Sequence, residues 1–244
     1  MKCCRVRRVF ETHHLELEMQ SASRRLDAPN ETEGKTMTAA TLTLGPFDIE
    51  RVFRAVDKIT ERLNRAAAAL NAAGVPYAVI GGNAVANWVG RVKPEAIRFT
   101  KDVDLLVRRS DTDAAEVALK PVGFRRRQIL GVTFFLDGPD STFEEAVHLV
   151  FANEKVREEY LLSAPDVDES ETGPDYRVIN LEPLVRMKLT SFRRKDQMHL
   201  VDFINTGLVD ETWPDRYPPE LAERLWELLN DENERWGFPK HDEV

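Results

Sequence analysis

Tyr77-Ala-Val-Ile-Gly-Gly-Asn-Ala84 and, after a spacer, Arg98-Phe-Thr-Lys-Asp-Val-Asp-Leu-Leu-Val107 are the stretches on which the fold turns. The first is a short apolar run that breaks at two glycines. It reads as a buried strand ending in a sharp turn, with a helix beginning over Ala84–Val89 and Asn83 near its N-terminus. In the second, Asp102, Asp104 and Leu106 alternate with Val103, Leu105 and Val107, which predicts a strand with the two carboxylates on one face. A glycine turn lets backbone amides approach an anion closely, and the following helix adds a favourable dipole. Two carboxylates at i and i+2 on a strand repel each other unless a divalent cation sits between them. Each feature has an ordinary reading as well: a turn for the glycines, a solvated strand face for the aspartates. In the order strand, Gly-Gly, helix, strand, Asp-x-Asp, they point to phosphoryl or nucleotidyl transfer.

Outward from this centre, a helix is predicted over 48–73, with Phe53, Val56, Ile59, Leu63, Ala67 and Leu70 on one face and Gly74-Val-Pro76 as its stop. Pro94 ends the second helix. A short helix follows Ser110-Asp111 and closes near Lys120-Pro121. Strands are expected near 124–130, 132–136 and 147–151, and an exposed acidic loop over 164–174. From Leu181 the pattern turns helical, with stretches at Leu181–Phe192, at His199–Ile204, and from Pro218-Pro219-Glu220 through Leu221, Leu225, Leu228 and Leu229. Trp213, Tyr217, Trp226 and Trp236 are expected to pack these helices. The layout is that of an α+β core with a helical C-terminal section.

The chain has 244 residues, Lys plus Arg 34 against Asp plus Glu 42, and a formal net charge of −8. That balance argues against binding nucleic acid through bulk charge. No apolar run reaches the roughly 18 residues of a membrane span. Cys3 and Cys4 are the only cysteines, and an adjacent pair neither staples a fold nor completes a zinc site. This suits a cytoplasmic location. The organisation expected is a disordered or spurious extension over residues 1–40, a core over 47–160 and the helical section over 175–240. The composition break near Met37 leads to the expectation that translation starts there. Peptides from residues 5–25 in a mass spectrum of the native protein would refute it.

Val79–Ala84 and Arg98–Val107 resemble the nucleotidyltransferase superfamily with a DNA polymerase β-like fold, and most closely its abortive-infection and minimal-nucleotidyltransferase branches, often found in toxin–antitoxin pairs. Arg186-Met-Lys-Leu-Thr-Ser-Phe-Arg-Arg-Lys-Asp-Gln-Met-His-Leu-Val-Asp202 is similar to their helical motif. The resemblance covers roughly 75–205 and implies an α+β fold of nucleotidyltransferase type, a mixed sheet flanked by helices with a helical C-terminal section. It implies that Gly81, Gly82 and Asn83 cradle nucleotide phosphates, that Asp102 and Asp104 bind Mg2+ (with Mn2+ as a substitute), that Lys188 faces the triphosphate and that Asp196 sits near the active site. It implies transfer of a nucleoside monophosphate from a nucleoside triphosphate to an RNA or protein hydroxyl. A toxin or antitoxin is the partner that the setting of those branches implies.

The sequence departs from the family in four places. Asn83 stands where Ser is more frequent, the spacing from Gly82 to Asp102 is long, and His199 replaces a frequent acid. At the place of the third carboxylate, Glu145-Ala-Val-His-Leu-Val-Phe151 offers His148. His148 is readable as a metal ligand, a base near neutral pH or a satisfied core histidine. Glu144 or Glu145 substitutes if the register differs. Lys188 is also readable as a solvated or snorkelling helix lysine. Arg125–Arg127 with Arg193–Lys195 are readable as a cluster that binds RNA or pyrophosphate, or as solvated strand and helix faces. The missing carboxylate keeps a second reading open: a catalytically degenerate nucleotide-binding protein, or an antitoxin-like partner.

Overall fold

A computed structural model describes residues 48–139 and 141–231. The expectations for residues 1–40, the two cysteines, Met37 and Trp236 fall outside the described residues. The chain divides into two compact units, Met1–Glu50 and Arg51–Val244. Apart from residues 48–50, everything below concerns the second.

The helices are α1 (Ile49–Ala72), α2 (Gly81–Val92), α3 (Thr112–Leu119), α4 (Leu181–Ser191), α5 (Arg194–Asn205) and α6 (Pro219–Leu229). The strands are β1 (Ala78–Ile80), β2 (Val103–Val107), β3 (Phe124–Ile129), β4 (Val132–Asp137), β5 (Val147–Phe151), β6 (Ser170–Thr172) and β7 (Arg177–Ile179). Among the described residues they form one sheet in the order β3-β4-β5-β2-β1-β7-β6. β1 pairs antiparallel with β2 and parallel with β7, while β2 pairs parallel with β5. The sheet is mixed, as the family resemblance implied.

Period-two alternation sorts the central strands between two apolar layers. Tyr77, Val79, Val103, Leu105 and Val107 pack with Leu63, Ala66, Ala67 and Leu70 of α1 and Ala115 and Leu119 of α3. Ala78, Ile80, Leu106 and Val178 pack on the other side with α2 and with Leu184, Leu200 and Leu225 of α4, α5 and α6. Asp102 and Asp104 share the parity of Leu106. The carboxylates therefore belong to the face that α2 and the C-terminal helices cover.

Helix α1 begins and ends close to its predicted bounds, and Gly74 closes it at φ +64°. Its apolar stripe works only in its C-terminal half; Phe53 is exposed. Arg62 and Arg65 tie this helix to Asp137 at the end of β4, at 3.0 and 2.6 Å. Helix α2 starts at Gly81 rather than beyond Asn83, and α5 starts at Arg194, a turn earlier than His199. Trp213 and Tyr217 are buried as expected, whereas Trp226 is partly exposed. Arg126 pairs with Asp113 and Glu116, and Arg125 and Arg127 stand on the exposed edge strand β3.

The segment expected as an exposed loop over 164–174 instead contains β6, with Ala164 and Val167 buried. Long-range ion pairs organise it. Arg108, just past β2, holds Asp166 at 2.5 Å and Asp168 at 2.7 Å. Local sequence pattern carries no trace of such pairs. The central layer should dominate stability. Leu105→Ala, at a fully buried site, is expected to cost about 2–5 kcal/mol in urea unfolding. Leu130→Ala, at the exposed β3–β4 turn, should stay within about 0.5 kcal/mol.

Candidate active site

The antiparallel register sets Ile80 opposite Asp104, so the turn that leaves β1 lies beside that carboxylate. Gly81 has φ +66°, and a Cβ there would stand 2.0 Å from Asp104 Oδ2. Gly82 is equally confined: its Cβ would stand 2.6 Å from Thr100 Cβ. Both glycines are required by close approach, Gly81 to Asp104 on β2 and Gly82 to Thr100 in the segment before it. No side chain caps the start of α2. The amides of its first turn have no acceptor within the helix and remain available to an anion. Asn83 serves the other partner of the turn, donating from Nδ2 to the Asp102 carbonyl at 2.7 Å.

The parallel register of β2 with β5 places His148 directly opposite Asp104. Its Nδ1 lies 3.8 Å from Asp104 Oδ1 and its Nε2 lies 3.0 Å from the Phe143 carbonyl. Burial alone pushes the imidazole pKa down. The Asp104 carboxylate, the Phe143 carbonyl and the charge of Asp102 outweigh it and hold the pKa above its ordinary 6.5. Glu144 and Glu145 sit in an exposed turn before β5, where Glu145 caps the Thr142 amide. The third position beside the aspartates is therefore His148 and not either glutamate.

Asp102 faces Lys195 of α5, with Nζ 3.4 Å from Oδ2. The Arg193 guanidinium, at the same helix start, feels the charge of Asp104. Both cations are about half exposed. Sequence reasoning grouped them with a basic cluster and did not place them at the carboxylates. The signal was present in their position at a helix start next to the Lys-Asp pair.

Lys188 and Asp196 lie deeper. Asp196 is 1% exposed and accepts Lys188 Nζ at 3.1 Å, Ser191 Oγ at 2.8 Å and Arg193 Nε at 2.8 Å. Burial would raise its pKa, but Lys188, Arg193 and Ser191 hold it down at about 2. The structure brings Gly81, Gly82, Asn83, Asp102, Asp104 and His148 together. It sets Lys188 behind them, with its ammonium committed to Asp196. Arg98, in the segment before β2, reaches α5 and donates Nε to both oxygens of Asp202, at 3.0 and 2.9 Å.

Among the described residues no three His, Cys, Asp or Glu side chains converge as a ready cation cage. Two carboxylates on one strand face fit Mg2+ differently. That ion typically uses one or two carboxylates and takes its remaining positions from phosphates and water. The donor set suits a cation that arrives with a nucleotide.

No family model matches the chain, and no curated protein matches it. Among solved structures, it is similar to an antigenic nucleotidyltransferase-like protein from Paracoccidioides brasiliensis. That similarity has a TM-score of 0.50 and 21% identity, and covers 72% of this chain and 89% of the other. Looser similarities are to the antibiotic-resistance factor ANT(2'')-Ia (TM-score 0.37, 19% identity, 78% and 91% covered) and to JHP933 from Helicobacter pylori (0.36, 16%, 76% and 75%). The chain shares the fold of that nucleotidyltransferase-like protein.

His199 supplies a test of the packing behind the site. It is 6% exposed, its Nδ1 has no hydrogen-bond partner, and Lys188, Lys195 and Arg98 surround it against the single opposing charge of Asp196. Burial first, then those cations, lower its pKa to about 3. The unfolded chain, with an ordinary pKa near 6.5, binds this proton more tightly. Stability should therefore fall as pH falls from about 6.5 to 4.5, with a slope approaching about 1.4 kcal/mol per pH unit. Urea midpoints across that range should decline in the native protein and flatten in His199→Gln.

Proposed function

We propose that the protein transfers a nucleoside monophosphate from a nucleoside triphosphate to an acceptor hydroxyl, on RNA or on a protein. One observation carries this reading: the Gly81 backbone lies against the Asp104 carboxylate, so closely that a Cβ would stand 2.0 Å from Oδ2. An anion-binding turn and a carboxylate pair are thereby built as one unit. Neither role as a plain turn nor role as a solvated face calls for that contact.

In this reading the first-turn amides of α2 bind the phosphate tail. Asp102 and Asp104 would hold Mg2+ or Mn2+ delivered with the nucleotide, and the ion, when bound, lowers the cost of charge building on the α-phosphate. Lys195 and Arg193 approach from α5 and balance the carboxylates and the phosphate charge. Lys188 holds Asp196 and so fixes the start of α5. The acceptor hydroxyl meets the α-phosphate opposite the leaving pyrophosphate, and its proton passes to a basic atom of the site or to water. Among the described residues no helix is long and apolar enough to cross a membrane, and we place the reaction in the cytoplasm.

A second reading rests on His148. With an imidazole at the third position, the site is also suited to bind nucleotide without turnover. Incorporation from α-labelled nucleoside triphosphates into total RNA and total protein separates the two. The expected outcome is label that falls at least about a hundredfold in Asp102→Asn/Asp104→Asn. Label unchanged in that variant would sink the proposal. Absence of label in the native protein, with nucleotide binding intact, would favour the second reading.

A further inference from the structure

The long spacer between the glycine turn and the aspartates builds a cavity that the transfer chemistry leaves unused. It holds about 220 Å3 and lies between α1, α2 and residues 97–100. Ile59, Ile97 and Phe99 give it an apolar wall. Asn83 and Thr100 join it to the active site: Asn83 bonds the Asp102 carbonyl, and Thr100 packs on Gly82. Three polar groups of the lining are unengaged. Asn87 Oδ1 and Thr100 Oγ1 are buried and have no hydrogen-bond partner among the described residues. Arg98 donates only through Nε, to Asp202, and neither of its terminal nitrogens donates to a described residue. A buried oxygen without a partner is costly, and a guanidinium with both terminal nitrogens free is a fork that grips phosphate. Phe99 lines the cavity while 71% exposed, so its ring is open to a guest from solvent.

The room suits one flat ring system and is too small for a helix or a strand. A wholly apolar guest would leave both oxygens unpaired, whereas a nucleobase carries hydrogen-bonding groups on its edge and apolar faces above and below. The Arg98 fork calls for an anion beside that base. A base with an adjacent phosphate is a nucleotide, and an unpaired base set against an aromatic side chain is a usual way for a protein to hold single-stranded RNA. A net charge of −8 argues against gripping nucleic acid through bulk charge, and a one-nucleotide pocket needs none. We infer that this cavity takes one unpaired base of the acceptor, with Arg98 on its phosphate, and that the acceptor is a single-stranded RNA end rather than a protein. This rests on the proposed transfer reading and names its acceptor.

The test uses the full chain and a pool of short single-stranded oligoribonucleotides carrying iodouridine, which crosslinks to aromatic side chains under ultraviolet light. Mass spectrometry should place a crosslink at Phe99. Phe99→Ala, at an exposed site, should lose that crosslink and bind the pool about tenfold more weakly. Phe53→Ala, exposed and outside the cavity, should bind as the native protein does. Arg98→Gln, checked for folding by circular dichroism, should reduce the slope of log affinity against log salt by about 0.7, which a purely structural role for Arg98 would not do. In the labelling assay, label should enter RNA and fall in Phe99→Ala. Crosslinks away from the cavity, with affinity unchanged in Phe99→Ala, overturn the inference, and so does a pool that does not bind. Label confined to protein overturns it and leaves nucleotidyl transfer standing. Crosslinking at Phe99 in a protein that transfers no label upholds the nucleotide site and refutes the transfer reading instead.

Discussion

The contact between the Gly81 backbone and the Asp104 carboxylate constrains everything around it. It follows from three linked facts: β1 runs antiparallel to β2, Ile80 pairs with Asp104, and the chain turns at once into α2. A shift of register by one residue would send Asp104 to the α1 side of the sheet and put an apolar side chain against the turn. A side chain at position 81 would meet the carboxylate and would also have to adopt φ +66°. Gly82 repeats the constraint against Thr100. The turn also draws on Asn83, whose amide holds the carbonyl of Asp102. The backbone at the entry of β2 is pinned from one side by hydrogen bond and from the other by strand pairing. That pinning sets the positions of both carboxylates before any ligand arrives.

The opposite wall is set by charge rather than by packing. Lys188 and Asp196 are both buried, and each is costly to bury alone. Removing one partner of such a pair typically costs about 3–5 kcal/mol, because the other is left uncompensated. Asp196 also accepts from Ser191 and from the amide of Arg193, so it fastens the end of α4 to the start of α5. The link between the helices passes through Phe192 in the left-handed region, at φ 45°, a conformation held by the surrounding packing and hydrogen bonds. The consequence is positional. With α5 fixed at its first turn, Arg193 and Lys195 come to the carboxylates while Lys188 stays behind them. Lys188, which the family resemblance marks for the triphosphate, becomes through Asp196 the support for the two cations that come to the carboxylates.

Much of this was legible in sequence because it rests on local rules. Alternation in Asp102–Val107 placed both aspartates on the face of Leu106, and the glycine pair located the strand-to-helix turn. The i, i+3, i+4 spacing of Leu63, Ala66, Ala67 and Leu70 is the buried stripe of α1. What remained hidden depends on partners distant in the chain. β6 and β7 have three residues each, too few for a period, and exist because β7 pairs with β1, β6 pairs with β7, and Arg108 holds Asp166. The commitment of Lys188 to Asp196 is a fact of burial, and burial of a lysine has no signature in composition. Lys195 reaches Asp102 across 93 residues of sequence, which no local window spans.

His148 shows why a departure from pattern must be judged with its surroundings. The turn Phe143–Glu145 precedes β5 and brings both a carbonyl and an aromatic ring to the imidazole. A carboxylate at 148 would leave the Phe143 carbonyl without its donor and would lie between Phe134 and Phe143, where a full negative charge is poorly solvated. An imidazole satisfies the carbonyl through Nε2, presents a face to the rings and still offers Nδ1 to Asp104. The neighbours are therefore matched to histidine in three ways: one hydrogen bond, two aromatic contacts and one charge. Here the strand, the turn before it and the aromatic side chain on β4 all agree with the imidazole and hold it opposite Asp104.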